Sequence, residues 1–292
     1  MNTLEEFYLM ESFDAIAYKD YLRQIKAEHF VVSYLLKSGN KILRTRIDDK
    51  ELLFDHISKL SYPPAKNART DRASLEGKSM FYGSIFTHKD GEVVLPRLIN
   101  LMETSDLFKD VNSKGKQLLT QSAWVNIRNL RLAVLPISIN YKEPCDELIG
   151  IQTEFQKVAV EIGMNLTNEA LFLGDLFAAK NFANTYNMTA HFVDYLLNES
   201  NEKDYFDGIL YPSVPSEGLG FNICIRPSLI DEGVVQFLGA SSMLLIKDEM
   251  ESKMSQLFDC DVVGDGDLIW HNSDMLNKAL QNPCLFSSLL NL

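Results

Sequence analysis

Basic residues are scarce in this chain: 28 Lys and Arg stand against 40 Asp and Glu over 292 residues, a formal net charge of -12. A duplex nucleic-acid binder needs a basic face to release counterions from phosphates, so this balance argues against that class. Cysteine is also scarce. Cys145, Cys224, Cys260 and Cys284 are widely separated, with no CxxC pair and no His at a metal-ligand spacing. They read as free thiols in a reducing compartment, neither a disulfide framework nor a zinc site. The histidines at 29, 56, 88, 191 and 271 form no HExxH pair, so no metal is expected. No apolar run approaches the roughly 20 residues that span a bilayer. The opening MNTLEEFYLMESF carries acids where a secretory leader would carry bases. Together these absences predict a cytoplasmic protein with neither membrane nor nucleic acid as partner.

Familiar nucleotide and nucleophile motifs are missing as well. Gly115-Lys116 is followed by Gln117 and lacks the upstream glycine of a Walker loop, and there is no GxGxxG and no GxSxG elbow. The acidic run Asp259 to Asp267 does not set acids and glycine at calcium-loop positions, and reads as a solvated loop.

What is present is a core: 46% of the residues are hydrophobic, enough for one large domain with appendages. Leu4, Phe7, Tyr8, Met10, Phe13, Ile16 and Tyr18 recur at helical spacing, predicting one or two helices between residues 2 and 36, ended by Ser38-Gly-Asn40. Lys41 to Ile47 alternates like a half-buried strand, and 50–60 returns to helical spacing before Tyr62-Pro-Pro64. Met80 to Phe86 has strand composition, Asp90-Gly91 marks a turn, and Leu95 to Phe108 reads as a helix carrying Glu103. Arg131–Ile139, Gly208–Val214, Phe221–Arg226 and Val234–Ile246 are strand candidates, while 147–163 and 168–198 look helical. From Lys247 the chain turns acidic before a final amphipathic stretch, Asp274 to Leu290. The expected organisation is an N-terminal helical segment, 1–40, a catalytic domain, 41–246, and an acidic, helical C-terminal appendage, 247–292. Helices and strands interleave without a βαβα rhythm, which favours α+β.

Arginine is concentrated where the rest is acidic. Between Lys41 and Arg72 eight Lys or Arg stand against five acids, and Arg44, Arg46, Arg69 and Arg72 are among them. Guanidinium forks match phosphate oxygens, so the stretch suits an anionic ligand. Around these arginines lies an ordered set of short motifs. Leu43-Arg-Thr-Arg46 is similar to an opening YRxR strand, and Leu60-Ser-Tyr-Pro-Pro64 to a proline-bearing segment. Asp71 to Tyr82 resembles GRxNxxGxxxxY, with Asp71 for the glycine and Ser74 for the asparagine. A glutamate follows, for which Glu103 on its helix suits the context better than Glu92 beside a turn. Asp207-Gly-Ile-Leu-Tyr-Pro-Ser213 and Asn222 close the set. In this order, over roughly 40–246, the chain resembles the RES domain, a family of NAD-consuming bacterial toxins.

That resemblance implies an ADP-ribosyltransferase-like split β-sheet core with flanking helices. The implied activity is cleavage of the nicotinamide–ribose bond of NAD by phosphorolysis or hydrolysis. Arg44, Glu103 and Ser213 would be the catalytic residues, and Arg46, Arg72, Tyr82 and Asn222 would bind the dinucleotide. Inorganic phosphate would serve as co-substrate, and a helix-turn-helix antitoxin would be the protein partner. Transfer of ADP-ribose to a protein target, and a non-enzymatic ligand-binding or interaction module, are the two alternatives.

Overall fold

The computed structural model describes residues 3–47, 53–162, 164–180, 182–249 and 251–281. The chain opens with a capping box: the Thr3 hydroxyl accepts from the Glu6 amide while the Glu6 carboxylate accepts from the Thr3 amide, starting α1 (Leu4–Leu9). Asp14 caps α2 (Ala15–Gln24) in the simpler way, accepting from the amides of Ile16 and Ala17. The expected helical stretch does not run on to Leu36. After a short 3-10 turn at Ala27–Phe30, the β-branched and aromatic run Val32–Leu36 forms strand β1.

β2 (Lys41–Arg46) and β3 (Phe81–Ile85) follow, separated by a loop whose 3-10 turn at Ile57–Lys59 replaces the described part of the helix expected over 50–60. Next come the small hairpin β4 (Thr87–Lys89) and β5 (Glu92–Val94), then α3 (Pro96–Thr104) and α4 (Asp106–Lys109). Two strands, β6 (Gly115–Asn126) and β7 (Leu130–Val134), lead into α5 (Asp146–Ile162), α6 (Met164–Phe177) and α7 (Thr185–Asn198). The chain then runs through β8 (Gly208–Pro212), β9 (Phe221–Ile225), α8 (Ser228–Asp231) and β10 (Val235–Lys247). It continues as β11 (Ser252–Val263), β12 (Asp267–Asn272) and α9 (Asp274–Gln281).

The fold is α+β around one mixed sheet in the order β1-β7-β8-β9-β3-β2-β6-β10-β11-β12. Its strands pair antiparallel except β7 with β8. Strand period sorts the core into two faces. Ala133, Ile209, Tyr211 and Cys224 face one cluster with Leu4, Phe7, Tyr18 and Leu22 of α1 and α2 and with residues of α6 and α7. Their chain neighbours Leu132, Val134, Leu210, Ile223 and Ile225 face the other, with Leu148 and Ile151 of α5. The N-terminal helices thus share the core of the sheet, and the boundary expected at residue 40 falls between two of its strands. The acidic stretch from 247 is not an appendage of loop and helix. β11 and β12 extend the sheet, and Asp259 and Asp261 lie on β11. β11 lies between β10 and β12, but its acids keep solvent or partners: Asp261 is exposed, and Asp259 Oδ1 accepts from Ser241 at 2.7 Å and Gln256 at 2.6 Å. Cys284 and the part of the terminal amphipathic stretch beyond 281 lie outside the described residues.

One buried carboxylate ties three segments together. Asp194 of α7 accepts from Lys19 of α2, from Lys78 at 2.6 Å in the loop before β3, and from Asn198 Nδ2 at 2.9 Å. Burial pushes the Asp194 carboxyl up, but these hydrogen bonds outweigh it and hold the group below its ordinary value of 3.8. Its contribution is therefore complete above that value and disappears as pH falls through the lower, folded-state value. Asp194→Asn is expected to cost about 3 kcal/mol at neutral pH, as removal of one partner from a buried pair does. Urea denaturation of both proteins checks this. The gap between them should narrow below about pH 4, and a gap unchanged at about pH 2 would show that Asp194 does not act through its charge.

Candidate functional site

β2 and β3 touch briefly and then part. Only Ile42↔Ile85 and Leu43↔Ser84 pair between them, after which β2 continues along β6 and β3 along β9. At the point of contact Gly83 permits the approach: a Cβ there would lie 2.6 Å from Ile42 Cγ2 and 2.8 Å from the Leu43 carbonyl oxygen. Where the strands diverge, Arg44 spans the gap and its Nη1 donates to the Tyr82 carbonyl at 2.7 Å. The opening between them is a cleft of about 440 Å³ whose lining includes Arg44, Arg72, Tyr82, Glu103, Tyr211 and Asn222.

Each of these side chains is held by a different device. Glu103 stands in the last turn of α3, a helix pinned to β2 by Asn100 Nδ2, which donates to the Leu43 carbonyl at 2.8 Å. Ser84 Oγ donates to Asn222 Oδ1 at 2.8 Å, and Asn222 Nδ2 donates to Glu103 Oε1 at 2.6 Å. The buried serine thus sets the amide so that its NH₂ meets the carboxylate, leaving Oε2 without a protein partner among the described residues. Tyr82 presents its ring to the cleft while its hydroxyl accepts from the Ala73 amide at 3.1 Å, and burial pushes the phenol well up. Arg72 serves the fold: its Nη1 donates to the carbonyls of Leu176, Phe177 and Ala179, closing the C-terminal end of α6. The guanidinium lies 5.2 Å from the Tyr186 ring centroid and 5.8 Å from that of Tyr211.

Arg44 is the strained member. Burial, then the nearby Arg46 charge, pushes its pKa down to about 10, and its Nε is buried without a hydrogen-bond partner. The guanidinium is still a cation at neutral pH, held at a cost that a bound anion would offset.

The expected site residues divide accordingly. Arg44, Arg72, Tyr82, Glu103 and Asn222 come together in the cleft from five separate segments. Glu92 lies on the exposed β4–β5 hairpin and is absent from the lining. Arg46 turns to a neighbouring cavity, where it donates to the Lys59 carbonyl and lies 5.5 Å from the Phe54 ring centroid. Ser213 is fully buried and does not line the cleft. The strand ends at Pro212, and at Ser213 the chain turns back, its amide donating to the Gly220 carbonyl at 2.8 Å. Tyr211, two residues earlier, reaches the cleft instead. Asn100 and Tyr186 also line it. Neither stood out in the sequence, because an asparagine or tyrosine in an amphipathic helix carries no spacing signal until the helix is docked.

Among the described residues no group of three or more His, Cys, Asp or Glu side chains is placed to hold a metal ion, and no helix is long and apolar enough to cross a membrane. Comparison with protein-family models, with curated proteins and with solved structures found no match to this chain.

Because Arg44's folded-state pKa, about 10, lies below that of an arginine in the unfolded chain, the unfolded chain holds more protons from about pH 10 upward, and stability rises with pH there. At neutral pH the cost of the buried charge stands in full. Inorganic pyrophosphate at about 100 times its Kd should therefore stabilise the protein by ~2.7 kcal/mol. That corresponds to a melting-temperature rise of roughly 5 °C for a chain of this size. Arg44→Met should reduce the rise below about 1 °C, read by differential scanning fluorimetry. Equal rises in the two proteins would place the anion elsewhere.

Proposed function

We propose that this protein cleaves the bond between nicotinamide and ribose in NAD. The observation that carries the reading is the convergence on one cleft, from segments far apart in the chain, of Arg44, Tyr82, Glu103 and Asn222, four residues that the RES resemblance singles out. The parted strands β2 and β3 also suit the split sheet of an ADP-ribosyltransferase-like core.

The chemistry fits these residue types. Nicotinamide leaves as the C–N glycosidic bond breaks, taking the electron pair and losing its positive charge, so it needs no acid catalyst. Positive charge then develops on the ribose, where a carboxylate is the most effective stabiliser. Glu103, oriented through Oε1 by Asn222, keeps Oε2 for a ribose hydroxyl. Arg44 offers its cation to the pyrophosphate or to an incoming phosphate, and the Tyr82 ring offers a face to the nicotinamide or ribose. A phosphate or water oxygen forms the new bond to the anomeric carbon, water losing its proton to solvent. Ser213 takes no part in this scheme, since its hydroxyl lies outside the cleft lining. Arg72 contributes positive charge and the shape of the wall. A toxin role, a cytoplasmic NAD pool as target and a helix-turn-helix antitoxin as partner belong to this reading through the resemblance.

Purified protein incubated with NAD, with and without phosphate, should release free nicotinamide, followed by chromatography. Glu103→Ala should lower the rate by about 100-fold or more, the scale on which loss of one transition-state electrostatic contact is felt. Glu92→Ala should stay near wild type. Full activity in Glu103→Ala, or NAD left intact by the wild type, would overturn the reading.

A further inference from the structure

A second cavity, of about 1090 Å³, adjoins the cleft. Pro63 and Asn67 line both, so the segment at 63–67 is a shared wall. Its lining includes the half-buried rings of Tyr62 and Phe237, backed by the buried Phe54 and Trp124, with the Trp124 and Phe237 rings edge to face at 5.2 Å. Arg46 and Lys59 bring positive charge, and Asp231, whose Oδ1 accepts from the Tyr62 hydroxyl at 2.5 Å, brings an acceptor. One lining group has no role in the fold. Ser61 is 5% exposed, and its Oγ is buried without a hydrogen-bond partner. Several buried hydroxyls lack a partner, Ser213 and Ser242 among them, but Ser61 is the one whose oxygen lies on the wall of a cavity large enough to bring it one.

We infer that this cavity takes the adenosine half of a dinucleotide, an inference that rests on the NAD reading of the cleft. Arg44 and Arg46 are alternate residues of β2, so their side chains leave one face of the strand about 7 Å apart. One enters the cleft and the other the second cavity. A pyrophosphate, with its two adjacent anionic groups, is the part of a dinucleotide that such a pair straddles. On the far side a purine ring meets the half-buried rings of Tyr62 and Phe237. Its exocyclic amine finds an acceptor in Asp231, and its ring nitrogens find a donor in Ser61. An acyl chain would use the aromatic rings but leave the buried Ser61 hydroxyl unmatched. The cleft alone, at about 440 Å³, has less than half the volume of its neighbour, which suits the smaller nicotinamide riboside end.

The two halves of the ligand test this separately. Isothermal titration with AMP and with nicotinamide mononucleotide is read on wild type, Glu103→Ala, Gln236→Trp and Arg46→Ala. Gln236 is an exposed residue of β10 that lines the cavity, so an indole there fills space without disturbing the core. AMP should bind wild type and Glu103→Ala alike. Its affinity should fall about 10-fold or more in Gln236→Trp and in Arg46→Ala, while Gln236→Trp leaves nicotinamide mononucleotide binding unchanged. Failure of AMP to bind, or equal AMP affinity in all four proteins, overturns the inference even if NAD is cleaved. AMP binding with this pattern in a protein that leaves NAD intact upholds the adenylate site and removes the NAD-cleavage reading.

Discussion

The site depends on a separation of backbone. In a continuous sheet, β2 and β3 would run side by side to their ends and bury their edges against each other. Here they exchange contacts at Leu43 and Ser84 and diverge, and the gap is bridged by one side chain, Arg44. The bridge is chemically awkward. A guanidinium has five donors, and this one gives Nη1 to the Tyr82 carbonyl while Nε stays buried without a partner. An unpaired buried donor forfeits its hydration, a cost that a bound anion would offset. The downward pull on Arg44's pKa expresses the same cost in protonation.

Around that gap the fold uses each polar side chain twice. Asn100 fastens α3 to β2 and thereby sets the height of Glu103 over the cleft. Ser84 and Asn222, paired residues on β3 and β9, form a line of hydrogen bonds that ends on the carboxylate. Arg72 closes the C-terminal end of α6 and still lends its charge to the cleft wall. Positioning therefore comes from regular elements on the sheet more than from loops, the arrangement that holds a reactive constellation most tightly. A consequence is that substitutions here alter the shape of the cleft and the stability of the fold together.

Much of this was legible from strand and helix periodicity. The strands at 41–46, 81–85, 208–212, 221–225 and 235–247 carry the alternation or the β-branched content that marks them, and Glu103 was read on a helix from the spacing of Leu98, Leu101 and Met102. β6 was not legible, although it is central. Gln117, Thr120, Gln121 and Ser122 interrupt any apolar alternation, yet three of them find side-chain partners in the fold: Gln117 accepts from Ser105, Gln121 donates to Thr45, and Ser122 accepts from Trp124. Polar residues in a central strand become explicable only once their tertiary partners are known. β1 was hidden for the opposite reason, since its apolar residues continue the spacing of the helices before it. Ser213 was misplaced because a motif specifies order along the chain but not the turn that buries its last member.

The distribution of charge adds a final constraint. The chain carries twelve more acids than bases, yet the cleft and its neighbour hold Arg44, Arg46, Lys59, Arg69 and Arg72. An anionic ligand thus approaches a repelling body and is attracted only at close range. Salt screens fields beyond about 8 Å at physiological strength, which weakens the distant repulsion more than contacts inside a cleft. Electrostatics of this form oppose indiscriminate accumulation of anions, polyanions above all, and leave recognition to geometry within the cavities. The parted strands supply that geometry: they set two cavities side by side and point one arginine of β2 into each.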